Sequence, residues 1–179
     1  PEADKDAWRK LLLDSLSAAA EGEKPDGKHV FRLKQFKEAF VGKPGPVGAY
    51  AWFRHLLAEH SIALNGVEPV KDPRFLGRKV LEEFVKANPK ADDAPEATLR
   101  LAMAYEFLAT KEGDEKAKEW YAALARNHPA HPHAAKAAGA AKRLDAEGQP
   151  LEVAGPALGT GQPFTAGSLA GKAVVGYYW

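Results

Sequence analysis

The 179-residue sequence contains no cysteine, which excludes disulfides, thiolate metal sites and a thiol nucleophile within these residues. Nor is there an excess of charge of either sign: 25 Lys and Arg stand against 24 Asp and Glu, a formal charge of +1. Without a basic field the sequence has no electrostatic footprint for nucleic acid, which is not expected as a partner. No stretch approaches the roughly eighteen apolar residues of a membrane-spanning helix. A glycine-rich phosphate loop, a nucleophile elbow and carboxylates paired for acid–base work are missing as well. From these residues we therefore expect no catalytic group, no metal and no cofactor. The first residue is Pro1 and not Met, the mark of a processed or engineered start in which any signal peptide is already removed.

What is present is material for a core. The chain is 45% apolar and 27% charged, and its length suits one domain, or one domain plus a fragment of another. Up to Gly148 the apolar residues recur with helical spacing, broken by Pro, Gly, Asn and Asp. Trp8, Leu11, Leu12, Leu16 and Ala19 predict one face of a first helix, with Asp4 placed to cap it and Gly22 and Pro25 to end it. His29 to Val41 predicts a weaker helix with the stripe Leu33, Phe36 and Phe40. Pro46 suits the first position of a third helix, which is apolar nearly all round and is expected to be buried before Asn65-Gly66 stops it. Trp8, Trp52 and Trp120 are expected in the core.

An internal echo follows. Gly77, Leu81, Phe84 and Pro89 recur forty positions later as Ala117, Tyr121, Leu124 and Pro129. Between them, Thr98, Leu101, Ala102, Tyr105, Leu108 and Ala109 occupy one helical face, with Leu99, Met103 and Phe107 on another. That double-sided pattern predicts a helix sandwiched in a stack of antiparallel hairpins. Lys111-Glu112-Gly113 reads as a turn, with Asp114 capping the next helix and Asp92-Asp93 capping the one before. A final helix presents Ala134, Ala137, Ala138, Ala141 and Leu144. With Leu101, Ala102, Tyr105, Ala117, Tyr121, Leu124 and Pro129 near its signature positions, the stretch resembles tetratricopeptide repeats, apart from the longer turn at 111–113. The resemblance implies a concave docking face, with Leu99, Met103 and Glu106 expected to line it.

After Gln149 the composition shifts to Gly, Pro, Thr and Val and the period falls toward two. Leu151–Gly155 predicts a short strand, Gly161–Thr165 a turn into a second, Ser168–Lys172 a helical turn stopped by glycine, and Ala173–Trp179 a continuous apolar strand. A buried strand needs partners on both edges, so this one is expected to belong to a domain that continues, or to pair with Leu151–Gly155, or to pair with a second copy as a homodimer. Packing of the whole tail against the helices is the plain alternative.

Gly161, Phe164, Ser168, Leu169, Gly171, Lys172 and Trp179 together resemble the opening of the TlpA-like branch of the thioredoxin superfamily, related to the alkyl-hydroperoxide-reductase/thiol-specific-antioxidant proteins. The resemblance covers residues 151 to 179. With the helical spacing before it, the expected architecture is mainly α in two parts: a helical domain over 1–148 and, as the resemblance implies, over 149–179 the start of a thioredoxin-like domain whose Cys-x-x-Cys would follow Trp179. The resemblance also implies thiol–disulfide exchange with client proteins, an extracytoplasmic location in the bacterial envelope and a membrane tether outside this chain, with no metal or organic cofactor. A thioredoxin-folded continuation without cysteines, which would bind and not catalyse, stays open. So does a self-contained helical interaction module without redox chemistry. His128, His131 and His133 are the one local cluster of metal-capable side chains, read here as solvated residues of an inter-helix turn, and His55 and His60 at i, i+5 do not share a face.

Overall fold

The computed structural model describes residues 2–22, 27–43, 45–64, 73–146, 148–150 and 154–172. Within them the chain is mainly helical, with seven α-helices and one small antiparallel sheet. The helices are α1 (Glu2–Glu21), α2 (Gly27–Phe40), α3 (Pro46–Leu64), α4 (Pro73–Ala87), α5 (Ala94–Glu106), α6 (Lys111–Asn127) and α7 (Ala134–Asp145). As the spacing predicts, Pro46 opens α3, where its missing N–H costs nothing.

Helices α1, α2 and α3 pack on one another; α3 also meets α4, and α4 to α7 then follow in pairwise contact. The first core joins Leu13, Leu16, Ala20, Leu33, Val47, Ala51 and Ala58. A second gathers Phe53, Leu56, Leu81, Phe84, Ala97 and Leu101, with Trp52 meeting Phe84 edge-on at 5.5 Å between ring centroids. The third holds Ala102, Ala117, Tyr121, Leu124 and Ala137. The flat alanine face expected of the last helix is the one that docks on α6, through buried Ala134 and Ala137.

The forty-residue echo is reproduced bond for bond at two turns. Asn88 and His128 donate their backbone N–H groups to the carbonyls of Phe84 and Leu124, at 2.9 and 3.0 Å. Ala91 and His131 then donate to Asn88 and His128, Ala94 and Ala134 to Ala91 and His131, and Ala97 and Ala137 to Asp93 and His133. Leu81 and Tyr121, Phe84 and Leu124, Ala94 and Ala134, and Ala97 and Ala137 are buried in pairs. The echo fades at the end of α7. Where α5 carries buried Ala102 and half-buried Tyr105, α7 carries exposed Lys142 and Asp145, and Lys118 of α6 donates to Asp145 at 2.7 Å.

Several expectations are corrected. The buried stripe of α1 is Leu13, Leu16, Ser17 and Ala20, whereas Trp8, Leu11 and Leu12 are 71%, 59% and 47% exposed. Trp8 is therefore not a core residue: α2 and α3 approach the other side of the helix. Asp4 lies inside α1 and not at its cap. Lys111 to Gly113 form the first turn of α6, whose cap is Thr110, with its hydroxyl accepting from the Gly113 N–H at 3.1 Å; Asp114 follows inside the helix. Asp93 stands at the start of α5 without a side-chain bond to the helix amides, because its carboxylate faces Arg54. Nor is α5 covered on both faces, since Met103 and Phe107 are exposed.

The tail forms a hairpin. Ala154–Pro156 (β1) pairs antiparallel with Pro163–Thr165 (β2), in the register Ala154 to Thr165, Gly155 to Phe164 and Pro156 to Pro163. A 3-10 turn over Ala166–Leu169 follows. The Leu151–Val153 part of the first predicted strand, the strand Ala173–Trp179, and any pairing or dimerisation through it lie outside the described residues, as do Pro25 and Asn65-Gly66.

Candidate docking surface

The three residues predicted to line a binding face occur at the i, i+4, i+7 spacing of one side of α5. Leu99 is half-buried against the α6–α7 core. Met103 is 43% exposed, and Phe107, four residues on, is 68% exposed. The spacing that groups Leu99 with Met103 reaches Phe107 equally, so this residue joins the surface from the same signal. Exposed Met and Phe side by side give an adaptable apolar contact of the kind protein partners use.

Glu106 has a different part from the one expected. Its Oε2 accepts from the Tyr121 hydroxyl at 2.8 Å and its Oε1 from Arg143 Nη2 at 2.6 Å. One carboxylate thus ties α5 to α6 and α7 and fixes the rim beside Met103. Burial, together with the hydrogen bond to Glu106, pushes the Tyr121 phenol well above its ordinary range. Neither Tyr121 nor Arg143 could be assigned to Glu106 from local spacing, because the pairing depends on how three helices stack.

At the preceding helix junction, between α4 and α5, Glu82 takes the hydroxyl of Tyr105 at 3.1 Å and the ammonium of Lys86 at 2.6 Å. The bond from Lys86, with that from Tyr105 behind it, holds the Glu82 carboxyl below its usual value. Beside it is a cleft of about 360 Å³ between α4, the end of α5 and the start of α6, rimmed by Arg78, Lys79 and Lys116 as well as by Glu82 and Glu112. Gly113 belongs to this junction: a Cβ there would lie 2.7 Å from the Tyr105 carbonyl and 2.9 Å from Leu108 Cβ.

A third group joins the first bundle to the α4–α5 turn. The Tyr50 hydroxyl and Arg54 Nε both donate to Asp14, Arg54 Nη1 reaches Asp93 at 3.3 Å, and Lys10 reaches Asp92 at 3.1 Å. Burial works against charge on Asp14, yet the bonds from Tyr50 and Arg54 win and lower its pKa. At Asp93 burial wins over Arg54 and raises it.

His55 is 3% exposed and both ring nitrogens lack a hydrogen-bond partner, with Nδ1 at 3.5 Å from a Glu59 oxygen. Burial, reinforced by Lys37 and Lys34, lowers its pKa to about 4. His131 and His133 lie with ring centroids 5.4 Å apart, and His131 Nδ1 accepts the His133 backbone N–H at 3.3 Å. Among the described residues, no three His, Asp or Glu side chains come together as a metal site.

In the tail, Gly161 and Gly171 take the left-handed backbone that glycine favours, at φ of 66° and 79°. Phe164 and Leu169 are half-buried, Ser168 Oγ donates to the Thr165 carbonyl at 2.7 Å, and the Lys172 N–H donates to that of Leu169 at 3.0 Å. The motif positions Gly161 to Lys172 therefore build the hairpin and its closing turn, and Trp179 lies outside the described residues. No protein-family model, curated protein or solved structure matches the chain.

Proposed function

We propose that this chain is a protein-docking module of stacked helical hairpins, similar to tetratricopeptide repeats, that leads into a thioredoxin-like domain. The observation that carries the docking part is the exposed pair of Met103, on α5, and Phe107, which caps its end, held beside the Glu106–Arg143 bond within a repeated helical frame. Stacked hairpins keep such a strip rigid, so a partner segment loses entropy on binding but the module loses little. The redox part rests on the TlpA-like resemblance of residues 151 to 179, of which Gly161 and Gly171 stand in turns and Ala166–Leu169 in a 3-10 turn. In this reading the parent protein exchanges disulfides with clients in the bacterial envelope, and the helical part positions those clients. The present residues contribute no redox chemistry of their own.

The test is to trap mixed disulfides with the longer natural chain carrying a resolving-cysteine substitution. Client capture that falls severalfold in Met103→Ser/Phe107→Ser supports the reading. Capture of no client, or capture indifferent to those changes, overturns the docking part. A gene that stops after the Trp179 codon, or continues without Cys-x-x-Cys, removes the redox part and leaves the self-contained interaction module.

A further inference from the structure

We infer that α1 is a dimerisation helix, whose outer face receives the α1 of a second copy in antiparallel orientation. At about 100° per residue, Trp8, Leu11, Leu12, Ser15, Ala18 and Ala19 fall on one side of α1, away from its buried stripe. All six are exposed and uncharged, and Asp4, a turn before Trp8, is the charged residue on the same side. A solvated helix face normally carries charge, and the opposite edge of α1 does, with Asp6, Lys10 and Asp14.

The order of sizes along this face identifies the occupant. The bulky residues Trp8, Leu11 and Leu12 fill its first half and the small residues Ser15, Ala18 and Ala19 its second half. A two-fold axis near the middle of the helix sets each bulky half against the small half of the other copy, so Trp8 meets Ala19 and Leu12 meets Ser15. Helices with such complementary relief approach to about 8–10 Å, and the same patch serves both copies, as a two-fold interface requires.

The flanking groove agrees with this arrangement. Phe40 lies beneath the Arg9 guanidinium at 5.3 Å, so α2 runs back along α1 and places Arg32 beside its second half. Leu12, Leu16, Phe36, Ala39 and Phe40 line an open groove of about 410 Å³ there, with Arg32 on its rim. Leu12 borders both the Trp8 knob and this hole, so the two-fold that seats Trp8 fills the groove reciprocally. The order of sizes along α1 is thus self-complementary under one operation.

Light scattering of the 179-residue chain across a concentration series is the test, joined to cross-linking. The chain has no cysteine, so Ser15→Cys introduces a single thiol. We expect dimer at high micromolar concentration, and monomer throughout for Trp8→Ala and Leu12→Glu, whose exposed positions leave the circular dichroism unchanged. A short bismaleimide should join Ser15→Cys chains in good yield and Lys90→Cys chains at background level. Monomer at every concentration overturns the inference. A dimer that survives both substitutions also overturns it and moves the contact elsewhere, whereas the docking reading of α5 is untouched by either result.

Discussion

The Tyr121 hydroxyl donates to Glu106 at 2.8 Å, while Arg143 approaches the other oxygen of the same carboxylate at 2.6 Å. Tyr105 and Lys86 divide Glu82 between them in the same way, and Tyr50 and Arg54 share Asp14. At these three places a tyrosine from a neighbouring helix and a cation meet on one carboxylate. Tyr121→Phe keeps the ring, which is buried, and removes only the donor. A hydrogen bond to a charged acceptor is worth about 1.5–3 kcal/mol when desolvated, and less for a carboxylate partly in water. We expect a loss of about 1 kcal/mol by urea unfolding. A double-mutant cycle with Glu106→Gln should show coupling between the two.

Gly113 stands in the first turn of α6, where alanine would normally improve helix formation by about 1 kcal/mol. Here the opposite is expected. The added methyl would meet a backbone carbonyl at 2.7 Å and Leu108 Cβ at 2.9 Å, so the α5–α6 turn must shift. Gly113→Ala should lower stability by about 1–3 kcal/mol. An unchanged or raised melting temperature would contradict this packing.

Ala109 has a φ of 49°, the one left-handed non-glycine residue among those described. A Cβ in that region costs about 1–2 kcal/mol, and the side chain is exposed. Ala109→Gly should relieve the strain and, after the entropy glycine gains in the unfolded chain, raise stability by a few tenths to about 1 kcal/mol. Thermal unfolding of the two forms, side by side, measures it.

His55 makes stability depend on acid. Its folded pKa, about 4, lies below the ordinary 6.5, so in acid the unfolded chain takes up a proton that the folded chain refuses. Stability is full above pH 6.5 and falls as the pH drops toward 4, by roughly 3 kcal/mol in all. His60, also lowered by burial and by Arg100, acts in the same direction. His55→Gln should flatten much of this slope in urea titrations carried out between those two pH values. A slope that stays as steep would show that His55 does not carry it.

Much of this fold is legible in the sequence because helix spacing is a local property. The stripe Leu33, Phe36 and Phe40, the opening at Pro46 and the echo from Leu81 and Phe84 to Tyr121 and Leu124 all survive as read. The first helix shows where local reading fails. Its two apolar stripes are Trp8, Leu11 and Leu12 on one side and Leu13, Leu16 and Ala20 on the other, and the bulkier one looks outward. The choice belongs to α2 and α3, whose packing no pattern within α1 encodes. Thr110 and Asp114 are equally good caps by composition, and the turn that decides between them is set by the close approach of Gly113 to Tyr105. Spacing gathers Leu99, Met103 and Glu106, but whether Glu106 is offered to a partner or held by Tyr121 and Arg143 depends on helices further along the chain.

The polar finish of α7 sets the two ends of the helical stack apart. Lys142 and Asp145 stand where the preceding period has Ala102 and Tyr105, and Lys118 draws Asp145 back onto α6. Among the described residues, this end of α7 thus presents charged side chains where α5 presents an apolar seat. A two-fold contact through α1 uses the same face on both copies, so that face is fully occupied once two copies meet.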